Sequence, residues 1–384
     1  METGKISENR IKAGNILLCA SIVILTAALW NEYVWYETIA PLATLISFVI
    51  LAAMFFVLVP LKEAVSDRKF WIMAAAVAVA GINIFLTGSG KGAWLTAADV
   101  LLVLYLSDRI RLTKPFTYFL LIYTGFYFFY WTFDVKGYFK GYNTNYGGLV
   151  LITGFVFAIT GMAAFRRSLK KNGERGGAVF LAIFTLFMFA WGYNIIAWYR
   201  ARCALLGFAV FLLLLVLPKN VWKSRTFYGI VIFFATAGAI IVSLLYVWLG
   251  RYAGRFDVRI FYKDVISGRN EIWSDLWNAF LQKPLTGIGS SYRIDVDWMG
   301  GVFEVHNGLL DILIVHGVIV FAVVLYLLIA RLWKLHDKVS ENRVAQCAAS
   351  AVFAILATSF MENGFIVPPF LLCTLALIAI AGAV

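Results

Sequence analysis

Charged residues are scarce in this 384-residue chain: Asp, Glu, Lys and Arg together make up 14% of it, whereas hydrophobic residues make up 62%. Soluble globular domains carry about 25% charged residues, so the composition excludes an ordinary soluble domain. The mean hydropathy of +0.84 points the same way. We therefore expect an integral membrane protein, whose number of domains does not follow from its length.

Cysteine, histidine and clustered carboxylates are scarce as well. The four cysteines fall in or at the ends of apolar runs, and no two of them form a CxxC pair. Neither a metal-ligand cluster nor a pair of carboxylates accompanies the three histidines. We therefore expect no disulfide framework, no bound metal and no cofactor.

Apolar runs, in contrast, recur along the whole chain. The first run lacks a small-residue cleavage site, so we expect a membrane span there and not a signal peptide. A helical span needs about 20 apolar residues. The predicted fold is therefore all-α, a polytopic bundle of about twelve transmembrane helices. The candidate spans are roughly residues 16–35, 39–60, 70–87, 94–106, 115–133, 146–164, 178–198, 203–217, 226–249, 309–330, 344–361 and 365–384.

Lys and Arg decide the orientation of these spans, because they accumulate on the cytoplasmic side. Residues 1–250 carry spans one to nine, residues 309–384 carry spans ten to twelve, and residues 251–308 form one large loop between them. Segments on the side of both termini hold 21 basic residues and the opposite side holds 12, seven of them in this loop. We therefore expect cytoplasmic termini and an outer loop 251–308.

The net charge of +12 is explained by this loop asymmetry and needs no nucleic-acid partner. The seven basic residues of the outer loop lie on the side where the rule disfavours them. An anionic ligand is the simplest explanation for them.

Two arginines, Arg200 and Arg202, stand at the outer mouth of the eighth span. Arginine at the start of a helix opposes the helix dipole, which favours anions there. An anion bound between the guanidinium groups and the free helix N–H groups would remove the conflict. Alternatively, both side chains reach lipid headgroups at the membrane surface.

The outer loop begins with basic residues spaced by four, Arg251, Arg255 and Arg259, which share one face if this segment is helical. From residue 270 to residue 282 the apolar residues recur with helical spacing, and Pro284 ends the pattern. This predicts an amphipathic helix on the outer membrane surface or over the mouth of the bundle, with Arg269 at its N-terminus.

His306 is followed by Asn307 and leads straight into the tenth span, so it is placed at the outer boundary of the membrane. It is the one histidine placed to meet Arg202 and Arg269. Guanidinium groups hold phosphate oxygens without a divalent ion, and a neutral imidazole accepts the proton of an attacking hydroxyl. The set suits a pyrophosphate leaving group and a hydroxyl nucleophile. Alternatively, His306 is a helix start with a hydrogen-bonded ring.

The order of four motifs resembles the O-antigen ligase and polymerase superfamily over about residues 200–330. R-x-A-L-L opens an outer-facing span, a long outer loop carries S-G-R-x-x-x-W and then K-P-L-x-G-I-G, and V-H-N enters the next span, followed by a glycine. In this chain these are residues 202–206, 267–273, 283–289, 305–307 and Gly317.

The resemblance implies a GT-C-like bundle that performs metal-independent, inverting glycosyl transfer at the periplasmic face of the bacterial inner membrane. The donor would be a glycan on undecaprenyl pyrophosphate. Arg202 and Arg269 would match the two pyrophosphate arginines, and His306 would match the histidine that activates the acceptor. Further substrate-binding candidates are Arg200, Arg255, Arg259, Arg293 and Asn307.

Two points of this resemblance stay open. The family's Ser or Thr before the first arginine is absent, since Tyr199 precedes Arg200 and Ala201 precedes Arg202, so Arg200 competes with Arg202. The acceptor is lipid A-core in a ligase and another lipid-linked glycan in a polymerase. The short chain and the single large loop favour the ligase.

A different class of function is a transporter or flippase for an anionic lipid. Transporters often show internal repeats and helices broken at the midplane of the membrane. The sequence shows neither, and its charge concentrates at one face, so we expect an enzyme. The oligomeric state does not follow from the sequence.

Overall fold

A computed structural model describes residues 7–30, 39–138, 144–252, 259–260, 263–265, 268–292 and 305–383. Arg255 and Arg293 lie outside these residues. The chain is 84% helical, and a single short β-hairpin accompanies the helices in the described part. The elements are α1 Glu8–Trp30, α2 Ala43–Leu58, α3 Leu61–Ser66, α4 Arg68–Thr87, α5 Lys91–Leu106, α6 Lys114–Tyr138, α7 Thr144–Lys171, α8 Arg175–Tyr199, α9 Arg202–Val216, α10 Lys219–Trp222, α11 Arg225–Gly250, β1 Arg259–Ile260, β2 Lys263–Asp264, α12 Arg269–Gln282, α13 Gly308–Lys334, α14 His336–Glu341, α15 Arg343–Thr358 and α16 Pro368–Ala383.

A helix lies at each of the twelve predicted spans. By length and composition, six helices of the described part can cross a membrane, namely α1, α4, α7, α8, α11 and α13. Shorter apolar helices are α2, α9, α15 and α16. The protein is thus a helical, multi-pass membrane protein. The number twelve and the outer position of residues 251–308 remain predictions.

The centre of the bundle is formed by α15 and α16. Every residue from Val344 to Thr358 is buried, as is every residue from Pro368 to Ala381. Around α15 pack α7, α9 and α11. Helix α8 lies at the periphery and exposes large apolar side chains such as Phe180 and Leu186. Such a face is costly in water but suits contact with lipid chains.

Helix α13 is broken at Gly317, whose φ of 82° and ψ of 173° are not helical. The prediction of unbroken spans was wrong at this position. The break frees the carbonyl groups of three preceding residues, and backbone polar groups at membrane depth need partners. All three find donors: Ile288 N to Ile314 O at 2.9 Å, Gly289 N to Val315 O at 3.1 Å, and Asn83 Nδ2 to His316 O at 2.9 Å.

The turn at residues 284–289 therefore docks, backbone to backbone, into the break of α13. In the reverse direction Val318 N donates to Pro284 O at 2.9 Å. Glycine is required on both sides of this contact: a Cβ on Gly287 would lie 2.4 Å from Val315 O, and a Cβ on Gly317 would lie 2.2 Å from Leu285 O. The packing explains why K-P-L-x-G-I-G occurs together with a glycine in the following span.

Replacing Gly317 with alanine is expected to destabilise the protein strongly, because its φ and ψ belong to a region that essentially only glycine occupies and its Cβ would overlap a carbonyl oxygen. Gly173→Ala is the control for a positive φ, since Gly173 has the same φ of 82° and open space around its Cβ. Thermal unfolding in detergent should show a much larger loss for Gly317→Ala than for Gly173→Ala. Equal losses would mean that the positive φ alone, and not the docked turn, accounts for the effect.

At the C-terminal end of α13, three cations contact the carboxylate of Asp108. Lys69 Nζ lies 2.8 Å from it, Arg331 Nη1 3.1 Å and Lys334 Nζ 2.9 Å. Burial alone would raise the pKa of Asp108, but the hydrogen bonds from Lys69 and Lys334 and the charge of Arg331 outweigh it and lower the pKa to about 2. This cluster joins α4, the α5–α6 connection and α13.

Because the pKa of Asp108 is lower in the folded protein than in the unfolded chain, its ionised form stabilises the fold above about pH 4, and that contribution is lost as the pH falls through about 2. We expect Asp108→Asn to cost on the order of 2 kcal/mol at pH 7. Thermal unfolding of both proteins should show a gap that narrows below about pH 4.

Asp337→Asn is the control, because Asp337 pairs with Arg225 at 3.4 Å but both side chains are largely exposed, at 80% and 68%. Removal of such a surface pair should change stability by less than about 1 kcal/mol. A gap between Asp108→Asn and the unmodified protein that is constant from pH 7 to pH 2 would contradict the assigned role.

Candidate functional site

Four segments converge at one end of the bundle: the starts of α9, α12 and α13, and the turn that follows α15. Helix α9 packs along α15, while α12 packs on α11, which in turn contacts α13 and α15. The turn after α15 is organised by Ser359, whose Oγ donates to Glu362 O at 3.1 Å and accepts from Phe365 N at 2.9 Å. Gly308 N at the start of α13 donates to Ser359 O at 3.0 Å. These bonds bring Glu362 beside the residue that precedes α13.

The carboxylate of Glu362 lies between Arg269 and His306. Arg269 Nη2 donates to Glu362 Oε1 at 3.2 Å and to Met361 O at 2.9 Å. The other carboxylate oxygen, Oε2, lies 3.4 Å from His306 Nδ1. The side chains of Arg269 and Glu362 are 11% and 7% exposed, whereas that of His306 is 25% exposed. The buried carboxylate is thus hydrogen-bonded to the arginine and lies beside the histidine, which remains accessible.

The backbone on both sides of His306 is tied down. Before it, Trp273 of α12 is fully buried and its Nε1 donates to Val305 O at 2.7 Å. After it, Asn307 caps α13 by accepting from Leu310 N at 3.1 Å, while its Nδ2 donates to Ala239 O at 2.9 Å. His306 itself has a φ of 51°, a conformation that few residues other than glycine adopt. The backbone at His306 is therefore held in place by bonds on each side.

Arg202 and Arg269 line one cavity of about 160 Å³, together with residues of α7, α9, α11 and the hairpin. Arg202 is the first residue of α9, and Arg269 is the first residue of α12. Arg202 Nη1 donates to Val265 O at 3.4 Å, which joins it to the segment after β2. Two guanidinium groups and two helix N-termini thus face the same small space, and such an arrangement favours an anion.

The remaining predicted residues are placed differently. Arg200 is exposed and ends α8 in a left-handed conformation, with φ of 55°. Arg259 lies on β1, where it pairs in register with Asp264. A shared face of Arg251, Arg255 and Arg259 required this segment to be helical, and that condition is not met at Arg259, which lies on a strand. Asn307 is buried, with both halves of its amide engaged by the backbone.

Glu362 is the residue that the sequence analysis missed. It follows the eleventh predicted span directly, where a single carboxylate next to a helix end carries no motif of its own. Its position in an otherwise apolar stretch between two spans was the available signal, since acidic residues within membrane proteins are costly unless they have a partner.

Among the described residues, no group of three or more His, Cys, Asp and Glu side chains is placed to hold a metal ion. Metal-free chemistry remains a prediction of the sequence and is not decided by this finding.

Residues 187–325 match the family model described as O-antigen ligase. The matched segment contains Arg202, Arg269 and His306, and Glu362 lies beyond it. The resemblance noted in the sequence is thereby confirmed over this segment. No curated protein and no solved structure matches the chain.

Glu362→Ala is expected to cost about 3–5 kcal/mol of stability, because it leaves the buried guanidinium of Arg269 without its carboxylate. The double variant Arg269→Ala/Glu362→Ala removes both charges and should lose clearly less than the sum of the two single variants. Thermal unfolding of the three variants in detergent measures this coupling. Strict additivity would show that the two side chains do not act as a pair.

Proposed function

We propose that this chain, whose residues 187–325 match the family model described as O-antigen ligase, transfers O-antigen glycan from undecaprenyl pyrophosphate to a sugar hydroxyl of lipid A-core. In this proposal the transfer inverts the sugar configuration, needs no metal and takes place at the periplasmic face of the bacterial inner membrane. One observation carries it. The Glu362 carboxylate lies between Arg269 and His306, and Arg269 lines a cavity together with Arg202.

The two arginines bind the pyrophosphate of the donor. The guanidinium groups donate charge-assisted hydrogen bonds to phosphate oxygens, and the helix N-termini beside them add a favourable dipole. Negative charge grows on the leaving pyrophosphate as its bond to the sugar breaks, so these donors stabilise the transition state. Arg202 is preferred to Arg200 because Arg202 lines the cavity with Arg269, whereas Arg200 is exposed at the end of α8.

His306 activates the acceptor. Its Nδ1 lies 3.4 Å from the carboxylate of Glu362. In the proposed mechanism the carboxylate accepts the proton of Nδ1 in a hydrogen bond, and Nε2 accepts the proton of the attacking hydroxyl. The carboxylate then stabilises the imidazolium that forms, a role that acids play behind catalytic histidines. Glu362 is in this sense a positioning residue, because it acts through His306 and Arg269.

The reaction is a single displacement. The acceptor oxygen forms a bond to the anomeric carbon while the bond from that carbon to the phosphate oxygen breaks, and undecaprenyl pyrophosphate leaves with the electron pair. The hydroxyl proton goes to His306. Attack from the face opposite the leaving group inverts the anomeric configuration.

A polymerase of the same superfamily would use the same donor site with a second lipid-linked glycan as acceptor. The single large loop favours the ligase. The transporter alternative gains one observation, the break of α13 at Gly317. In transporters, however, such breaks expose backbone groups to substrate or ions, whereas here the three freed carbonyls are occupied by Ile288, Gly289 and Asn83.

The decisive assay is glycan transfer in proteoliposomes that contain the purified chain, a lipid-linked donor glycan and lipid A-core. We expect His306→Ala to lose at least about 100-fold in rate, because general-base catalysis contributes about that much or more. Transfer at the full rate by His306→Ala would remove the proposed base. Product formed on a second lipid-linked glycan, and none on lipid A-core, would identify a polymerase.

Two further arms test the donor site in the same assay. Arg269→Lys should be badly impaired, because an ammonium group cannot replace a planar two-pronged donor, whereas Arg225→Lys, an exposed control far from the site, should transfer normally.

EDTA should leave the rate unchanged. Loss of activity that magnesium restores would overturn the metal-free mechanism.

A further inference from the structure

A second, larger cavity of about 550 Å³ lies at the opposite end of the bundle. Helix α9 runs from Arg202 at the candidate site to Leu215 at this cavity, and α15 runs from Arg343 at the cavity towards Glu362. These helices of 15 and 16 residues separate the two places by more than about 20 Å. The second cavity is therefore independent of the site proposed for glycan transfer, and nothing in the proposed reaction uses it.

One part of its wall is basic. Arg166, Arg167, Lys170 and Arg343 line it, and the single acidic side chain in the wall is Glu341. The formal charge of the lining is thus +3. Arg343 is the first residue of α15, where a cation opposes the helix dipole and an anion would relieve it. A negatively charged group is the ligand that this wall favours.

The basic residues of the cavity differ from others at the same end of the bundle. Lys69, Arg331 and Lys334 share the carboxylate of Asp108. Within the described residues, in contrast, the side chains of Arg166, Arg167 and Lys170 make no hydrogen bond or ion pair, and all three are exposed. Only Arg343 among the four is engaged, with Gln346 Oε1 at 2.9 Å and with Leu215 O. Three cations are therefore available to an external anion.

The rest of the wall is apolar. It includes Met162 and Ala163 of α7, Ala182 and Leu186 of α8 and Leu215 of α9. Leu186 is 72% exposed and belongs to the peripheral face of α8 that suits lipid contact. The cavity is thus bounded in part by a helix whose exposed apolar face suits contact with lipid. Its volume lies within the usual range of ligand pockets, about 300–1,000 Å³.

We propose that this cavity binds one anionic phospholipid, with its phosphate among Arg166, Arg167, Lys170 and Arg343 and an acyl chain in the cleft between α7 and α8. Basic pockets between membrane helices on the cytoplasmic side recognise anionic headgroups in this way. The basic group and the apolar cleft belong to one cavity, so the ligand has to be amphipathic. A free phosphate would use the cations alone, and a zwitterionic lipid would use the cleft alone.

The test uses the full chain purified in detergent, with thermal unfolding measured in the presence of phosphatidylglycerol or phosphatidylcholine. Phosphatidylglycerol should raise the midpoint of unfolding and phosphatidylcholine should not. Arg166→Gln/Arg167→Gln should bind phosphatidylglycerol at least about 10-fold more weakly, since two charge-assisted contacts are lost. Lys219→Gln/Lys223→Gln removes the same charge from exposed residues at this end of the bundle and should respond like the unmodified protein.

A second variant tests the apolar part. Ala182→Leu leaves every charge in place and narrows the cleft, so it should weaken the response to phosphatidylglycerol while the response to inorganic phosphate stays negligible. An equal response in both glutamine variants would show unspecific charge attraction and overturn the proposal. So would an equal response to phosphatidylcholine, or stabilisation by inorganic phosphate alone.

Discussion

The need to satisfy backbone polar groups inside a membrane is the constraint from which the candidate site follows. The break at Gly317 frees three carbonyl groups, and the turn after α12 supplies two of the missing donors. The end of α12 is thereby pinned to the middle of α13. The first turns of α12 are tied to the chain just before α13 by the hydrogen bond from Trp273 Nε1 to Val305 O. With both ends of α12 tied to α13, Arg269 at the start of one lies beside His306 at the start of the other.

The buried carboxylate of Glu362 completes this arrangement, because it contacts both Arg269 and His306. A buried acid is expensive unless a cation and hydrogen bonds accompany it, and here Arg269 supplies the cation. The same acid lies 3.4 Å from His306 Nδ1, so in the proposed mechanism one residue supports both the arginine that would bind the donor and the histidine that would activate the acceptor. Substitution of Glu362 should therefore disturb both halves of the reaction, although Glu362 touches neither substrate in the proposed mechanism.

Hydropathy and motif order predicted a large part of this protein. A helix lies at each predicted span, and the amphipathic helix after residue 268 begins at Arg269 as expected. Hydropathy and motif order could not predict contacts between segments that are distant in the sequence. Glu362 lies near His306 because Ser359 bonds to the backbone of Glu362 and accepts a hydrogen bond from Gly308 N at the start of α13. No local sequence pattern predicts a contact of this kind. The spacing of the loop arginines also did not reveal the local structure, since Arg259 lies on a strand of a short hairpin and not on a helix.

Backbone conformation adds an independent argument for the site. Among the described residues, Arg200 and His306 are the two non-glycine residues with positive φ, and both stand at the end of the bundle where Arg202 and Arg269 share a cavity. Such conformations cost about 1–3 kcal/mol and persist only where the surroundings enforce them. For His306 the enforcing contacts are visible: Trp273 holds the carbonyl before it and Asn307 caps the helix after it. This backbone conformation places the His306 ring beside Glu362 while a quarter of the side chain stays exposed, which favours a chemical role for that ring over a purely structural one.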